Sequence, residues 1–312
     1  MSKPRQASAP TAEPRLPPSH MLLALAVVAV WGTNFVVIRV ALDALPPLTF
    51  ATLRYIFALL PAALFIRRPA VKWRSLALYG VAIGFGQFGL LFIAMDGLIS
   101  PGLASLVVQM QIFFTIGLAV WLGRERVRRF QLGGLLLATA GIAVVLAHTD
   151  GTTTPLGLAL VLAAALSWGV GNHVARTAGT TDMLGFVVWA SLFAIPPLAL
   201  GAAIVDGPAR ILESVGAAGA ATWGAVLWQS VGNTLFGYSA WGWLLARHPA
   251  ATISPLSMLV PVFGMSASAL LLGEPLQDWK LLAGALVLGG LALNLLWPRL
   301  RNRRAGAPVP PA

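Results

Sequence analysis

The chain has 312 residues, of which 58% are hydrophobic and 10% are charged, and its formal net charge is +11. A soluble domain is usually about one quarter charged, so this composition excludes an ordinary soluble globular protein. The absence of cysteine excludes disulfides, thiolate chemistry and cysteine-based metal sites. The long apolar runs instead predict membrane spans, each of which needs roughly 20 mostly apolar residues.

Apolar runs separated by charged and turn-forming residues predict an all-α integral membrane protein with ten transmembrane helices around a central cavity. In chain order, the predicted spans cover residues 20–41, 48–66, 75–94, 102–122, 130–148, 155–176, 183–205, 220–246, 250–272 and 280–297. Residues 1–18 are polar and rich in Pro, Ala and Ser, so they predict a disordered cytoplasmic tail rather than a cleavable signal peptide. Residues 299–312 form a second, basic tail.

Most of the 21 basic residues fall in the termini and loops on one side of this arrangement. Lysine and arginine are enriched in short cytoplasmic loops, so both termini are predicted to be cytoplasmic. The basic residues also lie in short clusters between apolar runs. That spacing is typical of membrane orientation and argues against a nucleic-acid partner, despite the net charge. Membrane lipid is therefore the expected surrounding partner.

The sequence contains an internal repeat. The segment AVWGTNFVVIRV (29–40) corresponds to LSWGVGNHVART (166–177), and GFGQFGLLFIAMDGLISPG (84–102) corresponds to GNTLFGYSAWGWLLARHPA (232–250). WLGRE near 121–125 parallels LLGEP near 271–275. Each half holds five predicted spans, an odd number, so the second half is predicted to cross the membrane in the opposite direction. Such inverted repeats, here 19–148 and 149–298, are typical of secondary transporters.

These motifs resemble the drug/metabolite transporter superfamily, and within it the EamA-type permeases, over nearly the whole chain. The likeness rests on five-plus-five spans, Trp-Gly-x(1–2)-Asn in spans 1 and 6, and Leu-Gly-(x)-Glu after spans 4 and 9. The overall sequence is also similar to the YddG group of bacterial inner-membrane exporters. The resemblance implies a basket of helices in a bacterial-type inner membrane that exports aromatic and other neutral amino acids and related small metabolites.

Polar side chains inside the spans are expected to face the bundle interior, because lipid cannot satisfy them. Mid-span tryptophans beside such residues are expected to stack on an aromatic substrate. Packing between helices remains an equal alternative for each residue. Gln109 is favoured over Gln111, since residues two apart point in different directions on a helix. The predicted substrate-binding residues are Trp31, Asn34, Gln87, Gln109, Trp168, Asn172, Trp228, Asn233 and Tyr238.

Two arginines fall inside predicted spans. Arg39 lies four residues before Asp43, so a local ion pair is predicted. Arg54 has no counterpart in the second half, where Ala190 stands. It either attracts a substrate carboxylate in the outer vestibule or extends its guanidinium to the membrane interface, and the second role is favoured.

Proline and glycine suggest how the helices move. Spans 3, 4, 8 and 9 are predicted to rock against the rest of the bundle, because proline breaks the helical hydrogen-bond ladder and small residues allow close helix contacts. The predicted hinge residues are Pro101, Pro249, Pro255 and Pro261.

No aspartate or glutamate lies deep inside any predicted span. Proton-driven carriers usually need a titratable group in the membrane, so facilitated diffusion or exchange without proton coupling is predicted. His173 is the residue that would contradict this prediction if it relays protons.

Other readings stay open at this stage. One alternative is a permease with a different specificity, for threonine, a cysteine precursor, or a cationic or aromatic drug. A proton-coupled multidrug or other-metabolite permease of the same superfamily and a passive channel are further alternatives. An integral membrane enzyme is disfavoured, because no catalytic cluster or phosphate-binding Gly-Lys-Ser motif is present. No metal or cofactor is expected. One chain carries both repeats, so a monomer is predicted, with an amino acid as its small-molecule substrate.

Overall fold

A computed structural model of the chain describes residues 16–122, 128–149, 152–248 and 250–305. Within these ranges the ordered structure is helical, and no β-strand occurs. Eight of the described helices are long and apolar enough to cross a membrane, as judged by length and composition. The chain is therefore an all-helical, multi-pass membrane protein.

The described residues form long helical segments in both halves of the chain. The first half contains α1 (Pro18–Leu42), α2 (Pro47–Ala63), α3 (Trp73–Met95), α4 (Pro101–Trp121) and α5 (Arg129–Ala147). The second half contains α6 (Pro155–Ala178), α7 (Met183–Val205), α8 (220–247), α9 (250–272) and α10 (Asp278–Ala305).

Each predicted span corresponds to one of these segments, with ends that differ by only a few residues at nearly every position. One exception is α10, which continues beyond its predicted end at residue 297 to Ala305. The arginines of this segment favour helix, and the segment contains no glycine that would end it. A second is the short helix Pro208–Ala217, which lies between the predicted spans 183–205 and 220–246. Its polar residues interrupt the apolar pattern, although Pro208 at its first turn is a helix-start signal.

Two helices fall short of the length and apolarity of the other eight. The helix α2 has 17 residues. The helix α8 carries four polar residues along its middle, all buried in the bundle: Gln229, Ser230, Asn233 and Thr234. These residues lower the apolar content of α8. Because their side chains are buried in the bundle, their hydrogen-bonding groups do not face lipid.

Four helices contain stretches that are not α-helical. The middle of α3 is π-helical over Val81–Gly89, and the middle of α8 is π-helical over Trp228–Phe236. The helix α4 contains a 3-10 turn at Val108–Met110, and α9 contains one at Ser254–Met258. Within each pair, the two stretches fall at corresponding positions of the sequence repeat. Mid-helix π and 3-10 segments commonly mark functional sites or hinges.

The helices pack in pairs that join the two halves. Extensive contacts join α1 with α9, α4 with α6, α2 with α7, and α5 with α10. Each helix of the first half has a counterpart five positions later in the second half. The counterpart of the α1–α9 contact is the α6–α4 contact, and the α2–α7 and α5–α10 contacts are their own counterparts. The same packing pattern is therefore seen from either half of the chain.

Charged side chains at the helix ends form short-range links. Arg39 Nη1 lies 2.7 Å from Asp43 Oδ1, which confirms the predicted local ion pair. Asp206, which follows α7, accepts hydrogen bonds from the backbone N–H of Thr49 at 3.0 Å and from its hydroxyl at 2.8 Å. Asp206 thereby caps the first turn of α2 and joins the ends of the paired helices α2 and α7.

Candidate functional site

A cavity of about 1210 Å³ lies between the two halves. Most of its lining comes from α1, α3 and α4 of one half and α6, α8 and α9 of the other, with a few residues from α5, α7 and α10. It reaches one end of the bundle, where Arg128, Arg176 and Leu245 line it. Toward the opposite end, Ile38 and Leu91 are its last lining residues on α1 and α3, several residues before those helices end. The lining thus runs from that end of the bundle to about one helical turn short of the opposite ends of α1 and α3.

The structure brings all but one of the predicted substrate-binding residues to this cavity. The lining includes Trp31, Asn34, Gln87, Gln109, Trp168, Asn172, Asn233 and Tyr238. They come from both halves of the chain and from five different helices, so only the folded bundle brings them together.

Amide side chains form hydrogen bonds across the cavity wall. Asn172 Nδ2 on α6 donates to Gln111 Oε1 on α4 at 2.8 Å and to Thr115 Oγ1 at 3.3 Å. Gln109 Nε2 donates to the carbonyl oxygen of Ser257 on α9 at 3.3 Å. These bonds tie α4 to helices of the other half, so the same residues line the cavity and join the helices.

Two cavity-lining amides keep an acceptor without a partner. The Oδ1 atom of Asn34 and the Oε1 atom of Gln87 are buried and accept no hydrogen bond. A buried polar atom without a partner is costly, so it is a natural place for a ligand N–H to bind.

Aromatic rings form another part of the wall. Trp31 Nε1 donates to the carbonyl oxygen of Asn233, which belongs to the π-helical stretch of α8, at 3.3 Å. The Trp31 ring lies 5.8 Å from the ring of Tyr238 and 5.2 Å from that of Trp241, measured between centroids. Trp168 lines the cavity from α6. The wall thus offers ring faces beside amide groups.

Trp228 is the predicted site residue that the structure does not bring to the cavity. Its side chain is 38% exposed on the outside of α8, whereas the next residue, Gln229, is fully buried. Neighbouring residues on a helix are rotated by about 100° relative to one another, so only one of the two can face inward. The sequence placed Trp228 beside polar residues but did not resolve which face it occupies.

The preference for Gln109 over Gln111 needs correction, because both side chains line the cavity. The 3-10 turn Val108–Met110 immediately precedes Gln111. A 3-10 turn has about three residues per turn, so side chains two positions apart are closer in direction than on an α-helix. The apolar pattern of α4 gave no signal for this turn.

Arg54 does not extend to the membrane interface as was favoured from the sequence. Its side chain is 1% exposed and lies inside the bundle, against α3 and α8. The tertiary packing of α2 turns this residue inward, where the interface is out of reach.

The predicted hinge prolines occupy varied positions. Pro101 is the first residue of α4 and is buried. Pro255 belongs to the 3-10 turn of α9, and Pro261 is buried in the α-helical stretch that follows. Pro249 lies outside the described residues.

A bundle of membrane-spanning helices whose halves enclose a polar and aromatic cavity that reaches one end of the bundle defines a membrane transporter. The chain belongs to the EamA-like transporter family, whose model matches residues 18–147 and again residues 155–296. This match confirms the predicted family and class, a transporter rather than an enzyme, and it gives the chain two copies of the family unit.

Relatives of this chain have names that refer to amino acids. A probable amino-acid metabolite efflux pump of Salmonella typhimurium is 40% identical and covers 90% of this chain and 96% of its own length. A protein of the same name from Escherichia coli is 39% identical and covers 90% of this chain and 96% of its own length. A probable terminal-alkyne amino-acid exporter of Streptantibioticus cattleyicolor is 28% identical and covers 90% of this chain and 95% of its own length.

A solved crystal structure has the same fold. It superposes with a TM-score of 0.60 over 91% of this chain and 98% of that chain, at 22% sequence identity. Its similarity concerns the arrangement of the helices alone.

Proposed function

We propose that this chain exports neutral amino acids, including aromatic ones, and related small metabolites through the central cavity by alternating access. The observation that carries the proposal is the cavity wall, which combines amide groups with unpartnered acceptors and exposed aromatic faces. Amides and hydroxyls suit the polar backbone of an amino acid, and ring faces suit an apolar side chain. The names of the relatives support the same substrate class.

The proposed architecture is ten membrane-spanning helices in two inverted repeats, 19–148 and 149–298, with both termini on the cytoplasmic side of a bacterial inner membrane. The packing pattern common to both halves supports the repeats, as does the duplicated family match. The distribution of lysine and arginine supports the orientation. With that orientation the end of the cavity lined by Arg128, Arg176 and Leu245 lies on the cytoplasmic side, where an exporter takes up its substrate. One chain encloses the cavity, so a monomer suffices.

Substrate recognition is proposed to divide between two kinds of group. Asn34 and Gln87 accept hydrogen bonds from the ammonium of the substrate, since their oxygen atoms have no partner within the protein. Trp31 and Trp168 contact its side chain. A cavity of about 1210 Å³ exceeds the volume of a single amino acid, so cargo of varied size fits in this state.

The helices α3, α4, α8 and α9 are proposed to rock during transport, hinged near Pro101, Pro249, Pro255 and Pro261. Among the described residues, these four helices contain the π-helical and 3-10 stretches. Such stretches have weaker or displaced backbone hydrogen bonds, so they bend at lower cost than regular α-helix. Pro101, Pro255 and Pro261 therefore fall in helices that are already irregular.

Transport is proposed to be uncoupled from protons. Among the described residues that line the cavity, none is an aspartate or a glutamate. His173 is not in the lining, although its neighbour Asn172 is. Proton-driven carriers depend on a titratable group in the pathway, so the substrate gradient is the remaining driving force.

The direct test is counterflow in liposomes that contain the purified chain, with labelled phenylalanine, tryptophan, threonine and methionine. We expect saturable exchange of at least one of these amino acids, at a rate that does not change when a pH gradient is imposed. Uphill accumulation driven by the pH gradient would contradict uncoupled transport. No exchange of any amino acid would contradict the proposed substrate class. Exchange of threonine alone would restrict the substrates to small polar amino acids.

Replacing Trp168 by alanine is expected to weaken exchange of tryptophan and phenylalanine by about tenfold, because an aromatic pair is worth roughly 0.5–1.5 kcal/mol beyond its buried area. Threonine exchange is expected to change much less. The matched control is Trp228→Ala, since Trp228 faces the outside of α8. Equal losses of aromatic exchange in both variants would contradict the role of Trp168 in substrate binding.

A further inference from the structure

Arg54 is a cation buried in the middle of the bundle without a carboxylate partner. Its Nε and Nη2 atoms donate to the hydroxyl oxygen of Thr234 at 3.3 and 3.0 Å, and its Nη1 atom has no partner. In the described part of the chain, the ion pairs join other residues, Arg39 with Asp43 and Lys280 with Glu274. Buried charges in proteins are usually paired, so Arg54 is an exception.

Aromatic rings surround the guanidinium. Its Cζ atom lies 3.5 Å from the centroid of the Phe88 ring and 5.2 Å from that of the Tyr55 ring. Cation–π contacts of this kind stabilise a buried charge, but they offset only part of the cost of removing it from water. An anion that binds Arg54 would offset much more of that cost.

The position of Arg54 in the fold indicates a function rather than a packing role. Its side chain contacts Phe88 and Thr234, which belong to the π-helical stretches of α3 and α8. Ser230 in the α8 stretch also donates to the carbonyl oxygen of Arg54 at 2.9 Å. The corresponding position in the second half is Ala190, a small apolar residue. The repeated fold therefore does not require a cation here.

A single layer of aromatic side chains separates Arg54 from the central cavity. Tyr79 and Tyr238 line the cavity and also line a small void of about 10 Å³ beside Arg54. Phe88, whose ring covers the guanidinium, lines the cavity too. Rotation of these rings, or movement of the irregular helices that carry Phe88 and Tyr238, would connect the guanidinium to the cavity.

We propose that Arg54 binds the α-carboxylate of the transported amino acid in a state in which the aromatic layer has opened. This inference rests on the proposed function and adds a carboxylate-binding group to it. The planar guanidinium matches a carboxylate with two parallel hydrogen bonds, and the unpartnered Nη1 is free to donate one of them. Arg54 thus makes the carrier select amino acids over their amides and amines, in which the negative charge is absent.

The test compares amino acids with their carboxamides as competitors of counterflow by the full chain in liposomes. L-Phenylalanine is compared with L-phenylalaninamide, and L-threonine with L-threoninamide. In the wild-type protein, we expect the acid to compete about 10- to 100-fold more strongly than the amide, as for hydrogen bonds to a charged group. In Arg54→Gln, competition by the acid is expected to fall to the level of the amide, while competition by the amide stays the same.

Two further variants make the result specific. Arg54→Lys keeps the charge but loses the planar pair of donors, so we expect an intermediate preference for the acid. Arg39→Gln removes an exposed arginine whose partner is Asp43, and we expect it to keep the wild-type preference. If Arg54→Gln does not fold, Arg54→Lys decides the question, and an unchanged preference in that variant would overturn the proposal.

The outcomes separate this inference from the proposed function. If the wild-type protein exchanges amino acids but the Arg54→Gln variant keeps the preference for the acid, the proposed role of Arg54 is overturned. The proposed function is then unaffected. A wild-type protein that exchanges no amino acid would overturn both.

Discussion

Replacing Glu274 by alanine is expected to lower the free energy of unfolding by about 3–5 kcal/mol, because it leaves a buried cation without its partner. The Glu274 carboxylate accepts hydrogen bonds from the hydroxyl of Ser100 at 2.5 Å and from the backbone N–H of Gly102 at 3.0 Å. The Lys280 ammonium lies 2.9 Å from it, and the lysine and glutamate side chains are only 5% and 9% exposed. Glu274 therefore caps α4 from the other half of the chain.

Thermal or denaturant unfolding in detergent measures this effect. The matched control is Glu213→Ala, which removes an exposed glutamate from the short helix Pro208–Ala217. Adding Lys280→Met to Glu274→Ala is expected to restore part of the lost stability, because the double variant no longer contains an unpaired buried charge. A loss in Glu274→Ala no larger than in Glu213→Ala would contradict the structural role of Glu274.

Replacing Gly290 by alanine is expected to cost about 1–3 kcal/mol of stability, because the added methyl group has no room. A Cβ atom at Gly290 would lie 2.4 Å from the carbonyl oxygen of Gly134 and 3.0 Å from the backbone nitrogen of Ala138. Both of these atoms are backbone atoms of α5, so the whole helix would have to shift. The contact between α5 and α10 depends on this close approach.

Gly289→Ala is the matched control for this change. A Cβ atom at Gly289 meets nothing within 4 Å, although the two glycines are neighbours on the same helix. Alanine favours helix over glycine, so Gly289→Ala is expected to raise the unfolding temperature slightly while Gly290→Ala lowers it. The same detergent unfolding assay serves for both variants. Equal effects of the two substitutions would contradict the close packing of α5 against α10.

Local features of the fold were predictable from the sequence. The apolar runs located the helices, since a membrane span must bury its backbone polar groups in a helix of fixed length. The Arg39–Asp43 pair followed from spacing alone, because residues four apart on a helix are neighbours. The Trp-Gly and Leu-Gly-Glu repeats led to the family, which the match to both halves of the chain confirms.

The direction and partners of individual side chains were less predictable. Polar residues inside spans identified several of the polar residues in the cavity wall, because lipid excludes them from the outer surface. The same reasoning predicted that Trp228 faces the cavity, but its side chain is exposed on the outside of α8. It also favoured Gln109 over Gln111, whereas both residues line the cavity. Those errors arise from helix rotation and from the irregular stretches in α8 and α4, for which the apolar pattern gives no signal.

By itself, the sequence determined that this protein is a helical membrane transporter with two related halves, because span length, charge distribution and repetition are properties of the chain. Only the tertiary structure decided that Arg54 is buried between two π-helical stretches rather than extended to the interface, and that Glu274 of one half caps a helix of the other. These contacts join residues from distant parts of the chain. Their energies depend on packing and on the exclusion of water, which exist only once the helices have assembled.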